Sequence, residues 1–436
     1  METMIPLNGR IAIVDDKIDQ ALPLMRVFAK NNIPYVYYKG NDIDYLPEQP
    51  ENDIRILILD LNLLSGRDNK PKDIRSSLFS VIRHIISSNN YPYILVLWSR
   101  QEKEYKEMLE ELFANDLKDR TPITILEWIK SDFFPNFSDE EMNKDQEYKI
   151  IDELKKIIAG LPAYSYLMLW ENCIHNSADA TIQDIFHDFH SQDNWQNNAN
   201  CILDMFAKSY LGQHYNDISS EIKAKASLMF LNDVYRDTLE SYVSVCDFPN
   251  ANNLPYSANE NDKKDIAAKI NGCLLLSDKY ESSRQPGCIL PIELTKENET
   301  YFHKLFNDSF TKNDLSNKNA KQVKKDIYRT LQPCEIVVTP ACDYAQKKME
   351  YDRLVQGVII DADFYSFVNS KSDAFYVSPS FEYGGHKRIV VLNYRYFITN
   401  NKKNEVKPLF RFRSSILAEI QSKLARHISR QGVMNL

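Results

Sequence analysis

None of the seven cysteines belongs to a CxxC pair; they stand singly at positions 173, 201, 246, 273, 288, 334 and 342. That spacing signals neither a zinc ribbon nor a disulfide scaffold. No apolar run approaches the roughly 18 residues needed to cross a bilayer, so no membrane span is expected. The N-terminus lacks a basic stretch followed by an apolar core and a small-residue cleavage site, and a soluble, cytoplasmic protein is the expectation. Basic charge is also short: 53 Lys and Arg against 61 Asp and Glu give a formal net charge of −8. That balance argues against a general affinity for nucleic acid, though not against a local basic patch. No internal repeat is found.

What is present is globular. The 436 residues are 43% hydrophobic and 11% aromatic, enough for two or three buried cores. Up to about residue 160, short apolar runs alternate with segments of helical periodicity. Strands are read at "RIAIVDD", "IPYVYYKG", "IRILILD", "YILVLWS" and "ITILEWIK". Helices are read at "DQALPLMRVFAKNN", "IRSSLFSVIRHIISS", "EYKEMLEELFAND" and "DQEYKIIDELKKIIAGL". The first, third and fourth runs are apolar almost throughout, as in a parallel sheet covered on both faces. "NDIDYLPEQPEN" is too polar and Pro-broken for a helix. Three regions follow: an α/β domain over 1–160, a helical connector over 161–250, and an α+β domain over 251–436. In the last, strands are read at "CEIVVTPACD", "RLVQGVIID" and "KRIVVLNYRYFI", before a terminal amphipathic helix.

In the first region each strand ends in chemistry. "RIAIVDD" ends in Asp15 and Asp16, "IRILILD" in Asp60, "YILVLWS" in Ser99 and "ITILEWIK" in Lys130. Open parallel sheets bind ligands beyond their carboxyl ends, so these five residues share one edge. Three carboxylates there repel one another and lose hydration unless a hard cation such as Mg²⁺ lies between them. Taken singly, each has a structural explanation: a helix N-cap, a strand-end serine, a solvated lysine. Five in order along one edge point to an anion-handling site.

With those residues in place, 8 to about 160 resembles the receiver domain of two-component response regulators. That family carries an acidic pair after strand 1, a phospho-accepting aspartate after strand 3, Ser or Thr after strand 4 and Lys after strand 5. The resemblance implies a flavodoxin-like (CheY-like), doubly wound, five-stranded parallel sheet. It implies phosphoryl transfer from a histidine kinase to Asp60, with Mg²⁺ held by Asp15, Asp16, Asp60 and the backbone carbonyl of Asn62. Ser99 and Lys130 would engage the phosphoryl oxygens, Ser99 swinging toward the new group as part of a switch. The sequence departs from the family in several places. Gly66 comes early after Asp60, Arg100 replaces a small residue after Ser99, and Glu127 holds the place of the aromatic switch residue, with Trp128 next.

Beyond residue 160 no compact helix-turn-helix with a basic recognition helix is found, which disfavours a DNA-binding output. His187 and His190 in "IFHDFH", and Cys173 with His175, are isolated pairs better explained as surface or packing residues. "EIVVTPACDYAQKK" offers Cys342 and Asp343 at a strand end, with His303 or His386 as conceivable companions. It faintly resembles a TxxCD strand-end motif in uncharacterised bacterial proteins, some linked to phage defence. The simpler account is a small buried Cys342 and a turn-capping Asp343. Arginines 411, 413, 426 and 430 could grip an anion or line a solvated helix. The expectation is a phospho-accepting regulator, not an enzyme, that relays or buffers a signal to an effector protein or as a homodimer, similar to phage-defence two-component systems. The alternatives are a receiver-gated hydrolase or nuclease around Cys342 and Asp343, or a degenerate receiver used for dimerisation.

Overall fold

In the computed structural model, β1 (Ile11–Asp15), β2 (Val36–Lys39), β3 (Ile56–Leu59), β4 (Ile94–Ser99) and β5 (Thr124–Ile129) form one sheet, ordered β2-β1-β3-β4-β5. Every pairing in it is parallel. The structure describes residues 4–6, 8–63, 70–99, 105–134, 144–187, 194–246, 260–309, 318–345, 350–400 and 406–429. The chain divides into two compact units, Met1–Tyr210 with Ser220–Pro255, and Leu211–Ser219 with Tyr256–Leu436.

The strand order follows from composition. β1 and β3 are buried at every position, whereas β2 and β5 carry exposed or half-exposed residues along their length. The all-apolar strands take the centre and the mixed ones the edges. Around the sheet lie α1 (Ile18–Lys30), α2 (Pro71–Ile85), α3 (Lys106–Asn115), the single turn α4 (Lys130–Phe133) and α5 (Lys144–Ala159). The two-residue strand period sends alternate side chains to opposite faces. Ile11, Ile13, Ile56, Ile58, Ile94 and Val96 pack with α1 and α5. Ala12, Val14, Leu57, Leu59, Leu95 and Leu97 pack with α2 and α3. This is an α/β sheet wound on both faces, in flavodoxin-like order, with its switch point at β1 and β3. Between β2 and β3, where such folds often place a helix, the described chain makes only a 3-10 turn at Ile43–Tyr45.

The remaining helices of this unit are α6 (Pro162–Phe186), α7 (Trp195–Leu211, whose last residue falls in the second unit) and α8 (Ser220–Val245). α6 is fastened to the amino edge of the sheet. Glu171 accepts from Arg55 at 2.7–3.1 Å and pairs with Arg10 at 3.5 Å. Tyr164 donates to the Arg55 carbonyl at 2.7 Å, and Asn172 to that of Ile5 at 3.0 Å.

The second unit holds α9 (Glu260–Leu275), β6 (Leu276–Ser277), β7 (Cys288–Pro291), α10 (Glu299–Asn307), α11 (Lys318–Thr330), β8 (Gln332–Val337), α12 (Ala341–Ala345), β9 (Asp352–Asp361), β10 (Phe375–Val377), β11 (Phe381–Tyr383), β12 (His386–Asn400), β13 (Phe410–Phe412) and α13 (Ser414–Ile428). Its eight strands run antiparallel in the order β10-β12-β9-β8-β7-β13-β6, with β11 against β12. Ile416, Leu417, Ile420 and Leu424 of α13 join the core of one cluster, and α10 with Ile327 of α11 that of another. The strand expected across "CEIVVTPACD" stops at Val337. Pro340 supplies no N–H to a ladder but suits a helix entry, and Ala341–Ala345 turn helical after it. No helix among the described residues is long and apolar enough to cross a membrane.

Candidate metal centre

The carboxyl edge of the parallel sheet gathers charge out of water. Asp15 ends β1, Asp16 follows it, Asp60 follows β3 and Lys130 follows β5. Their relative exposures are 0%, 8%, 4% and 0%. One oxygen from each of the three carboxylates lies within 4.8 Å of the others. Lys130 Nζ reaches Asp15 Oδ2 at 2.7 Å, Asp60 Oδ2 at 3.1 Å and Gln20 Oε1 at 3.1 Å. The contacts to Asp15 and Gln20 are hydrogen bonds, and that to Asp60 is an ion pair. Asp15 Oδ1 accepts the Lys17 amide at 2.9 Å, and Asp60 Oδ1 the Asn62 amide at 3.4 Å.

One ammonium does not balance three carboxylates. The Asp15 carboxyl is pushed up to about 6, first by burial and then by the charge of Asp60, and Lys130 beside it only partly offsets both. Asp16 is also raised, by burial and then by Asp60. Tyr37 donates its hydroxyl to the Asp15 carbonyl at 3.0 Å. Burial first, then Asp15 and Asp16, push that phenol up to about 12, so it stays a neutral donor. Excess negative charge with oxygen donors alone, converging within coordination reach, fits a hard divalent cation rather than a thiophilic one.

Ser99 closes β4 in register with Ile129, at the same edge, and its side chain lies outside the described part of the structure. Gly66 and Arg100 are likewise outside the described residues. Glu127 is exposed on β5, whereas Trp128 turns inward, its ring 6.2 Å from that of Trp98. Trp98 is fully buried, packs on Phe133 and Phe134 as well, and its indole N–H has no hydrogen-bond partner among the described residues. An aromatic cluster therefore backs the strand that delivers Ser99.

Gln20 and Tyr37 are members of this site that strand-end reasoning passes over. Gln20 stands in the first turn of α1, the element launched by Asp15 and Asp16. A polar residue in the first turn after a ligand-bearing strand is the signal that would have found it.

The other candidates lie apart from this centre. Asp343 sits in α12 with its carboxylate 3.6 Å from Arg353. The Cys342 side chain lies outside the described part of the structure. His303 stacks on Tyr328, centroids 3.9 Å apart, and His386 begins β12. His187 follows α6, and His190 is outside the described residues. His175 Nε2 bonds Arg10 Nη2 at 3.0 Å. Arg411 and Arg413 donate to the carbonyls of Lys279 and Leu276. Among the described residues, the Asp15, Asp16 and Asp60 group alone meets the geometry of a metal cluster.

Neither a protein-family model nor a curated protein sequence matches the chain.

Proposed function

We propose that residues 8 to about 160 act as a phospho-accepting receiver domain, with Asp60 the acceptor, Mg²⁺ the cation and a histidine kinase the donor. The observation that carries this reading is the placement of Lys130 Nζ between Asp15 and Asp60, with Asp16 completing a buried acidic group at the sheet's switch point. A structural ion pair needs one carboxylate per ammonium. This arrangement supplies two further negative charges and a cluster of oxygens at the edge where such sheets bind ligands.

The residues divide the work. An Asp60 oxygen attacks phosphorus in line, the P–N bond of the phosphohistidine breaks, and the imidazole leaves with its electron pair and takes a proton from solvent. Mg²⁺, held by Asp15, Asp16, Asp60 and the Asn62 carbonyl, would neutralise the phosphoryl oxygens. Lys130, already 3.1 Å from Asp60, takes charge from the transferring group. The Ser99 hydroxyl donates to a new phosphoryl oxygen. A dianion attached to Asp60 gives the edge a second stable arrangement of charges, which is what a relay or a phosphate buffer requires.

The test is incubation of the full chain with acetyl phosphate, or with beryllofluoride, in the presence of Mg²⁺. With acetyl phosphate, intact mass should show one added phosphoryl group, and with either reagent emission from Trp98 and Trp128 should change. Asp60→Asn should abolish both responses. Identical behaviour of the two proteins would exclude Asp60 as acceptor.

A further inference from the structure

Cys173 lies midway along α6, and Cys246 immediately follows α8. They are 73 residues apart in sequence, yet their Sγ atoms are 3.0 Å apart. Both belong to the first unit, and neither is in a disulfide. A disulfide bond is about 2.05 Å long, so the sulfurs are about 1 Å from bonding distance. Cys173 is buried, whereas Cys246 is half-buried and next to the exposed Val245. Cys246 is thus the more accessible of the two residues.

Elsewhere the described cysteines differ. Cys201 and Cys273 are exposed, and Cys288 and Cys334 are buried in the second unit. Burial pushes the Cys288 thiol up to about 11 and that of Cys334 higher still, which keeps both as inert thiols.

We infer that Cys173 and Cys246 form a reversible dithiol–disulfide pair that a hydroperoxide oxidises. The Cys246 sulfur attacks a peroxide oxygen, the O–O bond breaks, and the departing hydroxide takes the thiol proton to become water. The Cys173 sulfur then attacks the Cys246 sulfenic sulfur, the S–O bond breaks, and a second water leaves with the Cys173 proton. Two thiols lose two electrons and the peroxide gains them. The bridge ties the end of α8 to α6 two residues from Glu171, the carboxylate that fastens α6 to Arg55 and Arg10. Oxidation would therefore fix α8 to the helix that is itself anchored on the parallel sheet.

The experiment uses the full chain, reduced and then treated with one equivalent of hydrogen peroxide. Free thiols are alkylated under denaturing conditions, and the protein is digested without reduction. The expected result is a peptide carrying Cys173 joined to one carrying Cys246, lost on adding dithiothreitol, with Cys201 and Cys273 still alkylated. Cys246→Ser should remove the joined peptide and leave Cys173 alkylated. Recovery of Cys173 and Cys246 as separate alkylated peptides would overturn the inference. So would Cys246 stopping at sulfinic acid, or bridging instead to Cys201 or Cys273. The mapping is read on the unaltered protein, so the folding of a variant does not decide it.

Discussion

Lys130 and Asp15 meet at 2.7 Å with neither side chain exposed to solvent, and they join the residue after β5 to the last residue of β1. The ammonium was taken out of water only because oxygens replaced its hydration. Truncating it strands Asp15 and Asp60 beside Asp16. Lys130→Ala should cost about 3–5 kcal/mol in a denaturant titration at pH 7.5 with EDTA, the range for breaking a buried pair from one side. The deficit should shrink at pH 5, where a carboxylate takes up a proton instead. Equal stability of the two proteins in EDTA would mean that the pair does not form in solution.

Asp15 sets a pH dependence whose sign can be worked out. Its carboxyl is raised in the folded protein to about 6, so the folded state binds this proton more tightly than the unfolded chain. Stability then falls as pH rises from the ordinary carboxylate range to about 6, and levels off above that. Below that window both states are protonated and the penalty is absent. In EDTA, the difference in melting temperature between wild type and Asp15→Asn should change between pH 4 and 6.5 and be flat above it. A flat difference across the whole range would show that burial and Asp60 do not act on Asp15 as the geometry implies.

Much of the first unit was readable because its residues obey two simple rules. Apolar runs without polar breaks became central strands, and the residue ending each run fell on one edge, so Asp15, Asp60 and Lys130 could be brought together before any coordinates. Gln20 was not readable this way, since its role depends on where the first turn of α1 points. The Cys173–Cys246 contact was invisible because nothing in a 73-residue separation implies contact. In the second unit, β6, β10, β11 and β13 are two or three residues long. Strands that short show no two-residue period; neighbouring ladders define them. "CEIVVTPACD" misled because apolarity continued past Pro340, where backbone hydrogen bonding could not.

Occupancy of the acidic centre should stabilise the protein by linkage. Mg²⁺ at a hundredfold excess over its dissociation constant contributes about 2.7 kcal/mol. The melting temperature should rise with Mg²⁺, reverse with EDTA, and stay unchanged on adding the same ionic strength as NaCl. Asp16→Asn removes one of the three carboxylate charges and should weaken Mg²⁺ at least about tenfold, read from the midpoint of the same titration. A Mg²⁺ response preserved in full by Asp16→Asn would place the ion elsewhere.

Glu171 tests whether the two edges of the sheet are separable. It accepts both Nε and Nη2 of Arg55, whose Nη1 has no hydrogen-bond partner among the described residues, and it also pairs with Arg10. With Arg55 and Glu171 side chains only 10% and 18% exposed, screening by water is weak. Glu171→Ala should leave two guanidinium groups short of an acceptor and cost about 2–4 kcal/mol. Glu171→Gln retains an acceptor oxygen and should cost less. The carboxylate cluster lies at the opposite ends of the same strands, Arg10 to Asp15 along β1 and Arg55 to Asp60 along β3. Phosphoryl uptake from acetyl phosphate should therefore persist in Glu171→Ala at temperatures where the protein is folded, while backbone amides of α6 exchange faster. Loss of uptake in the folded variant would show instead that the docking of α6 and the carboxylate edge are energetically one site.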